Sequence, residues 1–335
     1  MEQRVHIGDV AKRAGVSVGT VSNVLNRRKS VAPEYIEKVR KAVDELGFVR
    51  NDIARQLKSG GSRTISLLVL SNYNSFFTAL ADAAEDEAHE LGYAVVLAGS
   101  AQKPEREAKY LELFEEQRSR GILIAPIDGV NSVLDGIHDR GMPVILLGET
   151  GPAERYCCVA VDGEMSGYIA AHHLLEAGRR RVAIVGGPYF QVRERVEGAR
   201  RAVAEFPNAS EQYLPTSDLT IDEGRRIGAE LVTQSPDARP DAIFAANDLV
   251  AIGLLETLVH GGVAVPRDIA IVGSDDIQFA SSTVVPLTSV RQPVEEMAAA
   301  AVRLCVQESE EGVHHVHQQL VFPPELIVRD SSAPR

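Results

Sequence analysis

The chain has 335 residues, 44% of them hydrophobic, with 35 Lys+Arg against 47 Asp+Glu and a formal net charge of -12. That length is too great for one small domain and suits two or three, with an ordinary apolar share for a buried core. No stretch of eighteen apolar residues occurs, which excludes a membrane-spanning helix, and the polar N-terminus has no apolar core of a secretion signal. Cys157, Cys158 and Cys305 show no CxxC spacing. The adjacent pair could close only a strained ring, so reduced thiols in the cytoplasm are expected.

Taken alone, the negative charge argues against nucleic acid. Residues 1–63, however, carry a net +6 and the remainder -18. A basic head on an acidic body is the footprint of a small nucleic-acid module joined to something else. Within the head, Val10, Ala11 and Ala14 fall on one helical face, and Gly15 breaks that helix. Ser17 can cap a second helix whose apolar face is Val21, Val24 and Leu25. Two short helices around a Gly-containing turn are a helix-turn-helix or an ordinary helical hairpin. In the first case Val18, Gly19, Thr20, Ser22 and Asn23 stand at the end that enters a major groove, making this stretch a DNA-reading element. Arg27-Arg28-Lys29 follow as a solvated loop suited to phosphates. Pro33 opens a third helix with the stripe Ile36, Val39, Val43 and Leu46; Gly47 ends it over Phe48.

Asn51 can cap a short helix over 51–59, followed by the linker Gly60-Gly61-Ser62. One or two turns are marginal in water, as a hinge that is helical only when held would be. Leu57 can wedge into a minor groove or merely pack on the body.

From residue 64 short apolar strands alternate with amphipathic helices. The strands are expected at 65–70, 94–98, 122–125, 144–147, 182–185, 242–245 and 269–272. Helices are expected near 76–91, 104–118, 130–140, 164–177, 193–205, 221–234, 248–260 and 294–308. This β-α alternation predicts parallel sheets with helices on both faces, and its length predicts two lobes. Ligands of such sheets bind beyond the carboxyl ends of the strands, which here is the cleft between lobes. Arg195, Asn247 and Asp275 each follow a strand. A guanidinium, an amide and a carboxylate at one place suit a polyhydroxylated ligand. Asn247 could equally cap the helix that starts there; Asp275 could cap the next turn, but ligand contact is the expectation for it and for Arg195.

The head resembles the LacI/GalR family of bacterial transcription regulators over residues 5–63. The matching words are Asp9-Val10-Ala11, Ala14-Gly15-Val16-Ser17, Thr20-Val21-Ser22, Val24-Leu25-Asn26, Glu45-Leu46-Gly47-Phe48, Asn51, Ala54-Arg55 and Leu57. The body, over 64–330, resembles that family's regulatory domain, which is similar to periplasmic sugar-binding proteins. The words there include Asn74-Ser75-Phe76-Phe77, Val161-Asp162, Arg195-Val196-Glu197-Gly198, Asn247-Asp248, Gly273-Ser274-Asp275-Asp276 and Pro286–Pro293.

The resemblance implies a small all-α helix-turn-helix head (1–50), a hinge helix and linker (51–63), and a periplasmic-binding-protein-like α/β body (64–330) of two Rossmann-like lobes. The lobes are about 64–161 plus 292–320, and about 162–291 plus 321–330, with 331–335 as a tail. It implies DNA contacts from His6, Ser17, Val18, Gly19, Thr20, Ser22, Asn23, Asn26, Asn51, Ala54, Leu57 and Lys58. It implies effector contacts from Phe76, Phe77, Asp162, Arg195, Leu219, Asn247 and Asp275. The implied partners are double-stranded operator DNA, a sugar-like small molecule and a second copy of the chain. Neither a cofactor nor a membrane is implied.

Several positions depart from the family. Asn23 stands where an arginine that reads guanine is usual, and Asn pairs with adenine. Ala32 replaces a capping Ser, Gly163 replaces an Asn, and Leu219 occupies a position where many members stack an aromatic on the ligand. Phe76, Tyr189, Phe190 and Phe279 are the candidate substitutes. Arg193 suits an acidic ligand or a solvated helix face.

No nucleophile motif, phosphate loop or dinucleotide fingerprint is present, and Gly186-Gly187-Pro188 lacks the further glycine spacing. No enzyme activity is expected. His172-His173 point apart on a helix, and His314, His315 and His317 near a turn suggest at most adventitious metal binding. The reading is a cytoplasmic, nucleoid-associated repressor. Without a C-terminal heptad repeat after the last strand, a dimer is expected rather than a tetramer. The alternatives are a solute-binding receptor, a regulator with a nucleoside or purine corepressor, and a sugar-processing enzyme.

Overall fold

The computed structural model describes residues 5–25, 31–48 and 62–333. The chain divides into two compact units, residues 1–61 and 62–335.

The first unit is built from α1 (Ile7–Ala14), α2 (Val18–Leu25) and α3 (Pro33–Leu46). Val10, Ala11, Val21, Val39 and Ala42 are its buried core, with Phe48 packed against it. Ile36, expected on the buried stripe, is half-exposed, and Ala42 takes a buried place instead. Gly15 has φ +67° and its N–H reaches Ala11 O, ending α1 as its sequence requires. Ser17 Oγ accepts the Thr20 N–H at 3.0 Å, capping α2. Ala32 precedes α3 without any side-chain cap, leaving Pro33 to start the helix.

The second unit contains two six-stranded sheets. Its strands are β1 (Thr64–Val69), β2 (Ala94–Gly99), β3 (Ile122–Ile124), β4 (Val144–Leu147), β5 (Cys157–Val161), β6 (Arg181–Gly186), β7 (Ser210–Pro215), β8 (Ala242–Ala245), β9 (Ala270–Asp275), β10 (Thr288–Arg291), β11 (Gln319–Phe322) and β12 (Glu325–Ile327). Its helices are α4 (Ser75–Glu90), α5 (Pro104–Glu116), α6 (Ser132–Asp139), α7 (Gly163–Glu176), α8 (Tyr189–Ala204), α9 (Ile221–Thr233), α10 (Asp248–His260) and α11 (Val294–Glu311). The first sheet has the order β11-β5-β4-β3-β1-β2 and the second β12-β10-β9-β8-β6-β7. All pairings are parallel except β10 with β12, which is antiparallel. Each sheet carries apolar clusters on both faces, as expected of parallel strands covered by helices.

Five strands lie outside the expected seven. β7 is an edge strand with a largely exposed polar sequence, so it has no apolar run to detect. Thr288 and Ser289 of β10 are fully buried but polar. β5 is apolar throughout, and the sequence pattern does not single it out; β11 and β12 have weak patterns. Helix α8 begins at Tyr189, not 193, because Pro188 supplies an extended residue ahead of its first turn. Val321 and Phe322 belong to β11 of the first sheet, so the first lobe's share runs two residues past the expected boundary at 320. Ser331 and Ser332 are buried, not a free tail: Ser331 Oγ donates to Ile271 O at 2.6 Å and Ser332 Oγ bonds Thr288 Oγ1 at 2.7 Å.

Among the described residues, no helix is long and apolar enough to cross a membrane. The three cysteines are free thiols.

Candidate functional site

In the head, α2 presents its N-terminal end to solvent. Val18 is 49% exposed although its partner on the same helix, Val21, is fully buried. Ser17 and Gly19 are exposed, and Thr20, Ser22 and Asn23 are half-buried. His6 is exposed ahead of α1, where its N–H donates to Asp9 Oδ2 at 2.8 Å. Asn26, Asn51, Ala54, Leu57 and Lys58 lie outside the described residues.

In the second unit, a cavity of about 710 Å³ opens between the lobes. Phe76, Phe77, Arg195, Leu219, Asn247 and Asp275 all line it. Asp162 is not among its lining residues, though Val161 and Gly163 on either side of it are. Its carboxylate accepts the Met165 N–H at 2.8 Å and caps α7. Asn74 Oδ1 accepts the Phe76 N–H at 3.0 Å and starts α4, which sets Phe76 edge-to-face on Phe77, ring centroids 5.2 Å apart.

Arg195 owes its place to a close helix crossing. A Cβ on Gly167 of α7 would fall 1.8 Å from the Arg195 carbonyl oxygen, and one on Gly198 of α8 1.8 Å from that of Glu164. Only glycine allows such an approach. The guanidinium Nη1 donates to Ala246 O at 3.0 Å. Opposite it, Asp275 sits at the end of β9 with φ +110°, a conformation rare outside glycine. Its carboxylate accepts Gln292 Nε2 at 2.7 Å. Burial pushes the Asp275 carboxyl up to about 6, with the Arg195 charge and the Gln292 hydrogen bond pulling it down. Asp276 is turned elsewhere, paired with Arg291 and Arg329. The two neighbouring carboxylates therefore do not form an acid-base pair.

Asn247 is only 1% exposed and its amide is spent structurally. Its Oδ1 accepts the Val250 N–H at 2.9 Å to cap α10, and its Nδ2 donates to Leu219 O at 3.2 Å. Asn247 thus fastens the Leu219 segment to the second lobe. Asp248 beside it is fully buried, holding Ser289 Oγ at 2.6 Å and the Ile277 N–H at 2.8 Å, and burial raises its pKa well above the ordinary value.

Sequence reasoning missed the polar groups that face each other across the cleft. Gln102, of the first lobe, and Gln191, on α8 of the second, exchange amide hydrogen bonds of 3.1 and 2.9 Å. Gln102 also reaches Asp218 Oδ1 at 3.4 Å. Gln102 has φ +57°, which no motif announces. Glu149 is raised by burial, with Arg193 opposing and Glu194 reinforcing. Gly163 has a reason to be glycine here: a Cβ would sit 2.5 Å from Glu194 Oε2. Of the aromatic substitutes for Leu219, Phe76 and Phe190 line the cavity; Tyr189 and Phe279 are not among its lining residues. Tyr189 instead donates to Glu197 at 2.7 Å.

Residues 6–51 match the model of bacterial regulatory proteins of the lacI family, and residues 171–332 that of a periplasmic binding protein-like domain. The HTH-type transcriptional repressor PurR of Vibrio campbellii is 33% identical over 333 residues, covering 97% of this chain and 98% of that protein. This chain belongs to the LacI family. Among solved structures, a complex of the transcriptional regulator CelR with cellobiose has 30% identity and a TM-score of 0.71, covering 98% of this chain and 100% of that one. A lac repressor dimer bound to operator and an anti-inducer has the same fold at 24% identity, with a TM-score of 0.85 over 99% of this chain and 100% of that one. The protein is a LacI-family DNA-binding regulator with an effector-binding domain, not an enzyme.

Proposed function

We propose that this regulator is a homodimeric repressor whose two heads read the halves of a pseudo-palindromic operator, and that a sugar or sugar derivative in the cleft sets its operator affinity. The observation that carries the effector reading is the convergence of Arg195, Asp275 and Gln292 on one cavity of about 710 Å³. A carboxylate accepts from ligand hydroxyls and a guanidinium donates to them, and their burial makes an unmatched ligand costly. The cellobiose complex of a relative at 30% identity supports the same class. A nucleoside or purine corepressor is the second reading, favoured by Phe76 and Phe190, which line the cleft.

Val18, Gly19 and Asn23 are the proposed base readers, with His6, Ser17, Thr20, Ser22 and Asn26 beside them. Lys58, Asn51 and Ala54 belong to the proposed hinge, and Leu57 is its minor-groove lever. Phosphate contacts from the basic head make binding salt-dependent, while base contacts specify the site. The Gln102–Gln191 pair joins the lobes directly. A ligand that binds the joined lobes better than the parted ones shifts their populations, and that differential is the source of control.

Selection of purified full-length protein against a random DNA pool tests the first half. The expected product is an inverted repeat whose affinity falls steeply with salt; no sequence preference would sink the reading. Leu57→Ala is expected to weaken operator binding with ligand binding intact. A thermal-shift screen of sugars, sugar acids and nucleosides decides between the two effector classes.

A further inference from the structure

The histidines near the last strand, set aside as adventitious in the sequence, acquire two distant partners in the fold. Cys157 on β5, Glu308 near the end of α11, and His315 and His317 before β11 bring one donor atom each within 4.8 Å of one another. His315 and His317 share a face of an extended segment, while His314 and Val316 are exposed. None of the four lines the interlobe cleft.

We propose that Cys157, Glu308, His315 and His317 bind one divalent transition-metal ion of the zinc class. Cys157 Sγ is 3.2 Å from His315 Nε2 and 3.8 Å from His317 Nδ1, and His317 Nδ1 is 3.7 Å from Glu308 Oε2. Bonds of about 2.0–2.3 Å to a tetrahedral ion give ligand-ligand edges of about 3.3–3.8 Å, so these three spacings need little change, and the other pairs, all within 4.8 Å, need to close by about an ångström at most. The donor set of one thiolate, one carboxylate and two imidazoles suits zinc and its neighbours rather than magnesium or calcium. Two anionic ligands balance the charge of the ion, which a buried site requires.

Two further observations point to a ligand. Buried Glu308 has no conventional hydrogen-bond partner at Oε2; its carboxylate faces the Cys157 thiol and, at 3.7 Å, His317 Nδ1, a costly state that metal ligation would relieve. The far nitrogen of His315, Nδ1, is 2.8 Å from Glu311 Oε2. A carboxylate there fixes the tautomer that aims the Nε2 lone pair at the site, the usual support of a metal-bound imidazole. Ligation takes the Cys157 thiolate, so ion binding releases a proton and affinity rises with pH. The ion would fasten the end of α11 and the entry of β11 to β5. From there the chain crosses through Pro323-Pro324 to β12 of the second lobe.

The test is a titration of chelator-stripped full-length protein with Zn²⁺ and with Co²⁺. One ion per chain is expected. Cobalt should give tetrahedral visible bands and a thiolate-to-metal charge-transfer band in the near ultraviolet. Cys157→Ser should abolish that band, and Glu311→Gln should weaken Zn²⁺ binding about 10–100-fold. If Cys157→Ser fails to fold, the cobalt spectrum of the unaltered protein decides alone. A spectrum without the thiolate band, binding well below one ion per chain, or equal Zn²⁺ affinity in a folded Cys157→Ser protein overturns the proposal.

Discussion

The head and the body solve recognition in opposite ways. The head buries few side chains, chiefly Val10, Ala11, Val21, Val39 and Ala42, and leaves its proposed reading surface on neighbouring residues of one short helix. The body gathers its proposed effector groups in a cleft, with the innermost of them, Asn247 and Asp275, buried. Asp275 is 7% exposed and sits in a cavity built from both lobes. A DNA groove is a large, preformed partner, so an exposed helix end suffices to read it. A small molecule must be enclosed and its hydroxyls matched one by one, so its contacts come from loops distant in sequence. Mutations should therefore cost more, and respond more to pH, in the cleft than on α2.

The largest effect is expected at Asp275. Burial raises its folded-state pKa from the ordinary 3.8 to about 6. A carboxyl whose folded pKa lies above its unfolded value holds its proton more tightly when folded. The resulting cost to stability is absent below pH ~4, grows through the interval and is complete above pH ~6, reaching about 3 kcal/mol for a two-unit rise. Asp275→Asn should raise the melting temperature at pH 7 and flatten its dependence between those limits, while ligand affinity collapses. An unchanged melting profile would mean that the carboxyl is well solvated. In the unaltered protein, ligand affinity should fall as pH drops through 6, which calorimetry at pH 5 and 7 would detect.

Arg195→Ala follows, removing the guanidinium that donates to Ala246 O and faces Asp275. A loss of about 2–3 kcal/mol in ligand affinity is expected, typical of hydrogen bonds to charged groups. Operator binding without ligand should stay within a few-fold. A comparable loss on DNA would blur the division between head and body.

Asn23→Arg should move the preference at one base pair per half-site from adenine towards guanine, by about 1–3 kcal/mol, read by selection against a DNA pool. The smallest effect is at the cap. Ser17→Ala removes the acceptor of the Thr20 N–H and should cost the head about 1 kcal/mol, measured by melting of the DNA-free protein.

The same contrast explains what the sequence disclosed. The turn at Gly15, the cap at Ser17, Phe48 beneath α3 and the β-α alternation were legible because local spacing dictates them. That Arg195, Asp275 and the Phe76-Phe77 pair line the cleft was legible through strand ends and family words. Gln102 and Gln191 were not, because they are 89 positions apart and meet only when the lobes do. Asp162, expected to touch the effector, also caps α7, a second role that an Asp ahead of a helix fills by the same chemistry. The start of α8 at Tyr189 was hidden by the Gly-Gly-Pro before it. The cluster around Cys157 needed the fold, since β5 itself was not foreseen.

The central claim is that occupancy of the cleft governs the head's grip on DNA. Operator affinity should be measured for the unaltered protein and for Arg195→Ala, each with and without the compound that most raises the melting temperature in the ligand screen. The predicted result is a change of at least about tenfold in the unaltered protein, equivalent to 1.4 kcal/mol of coupling, and none in the variant. A ligand that stabilises the protein yet leaves operator affinity untouched would contradict the claim.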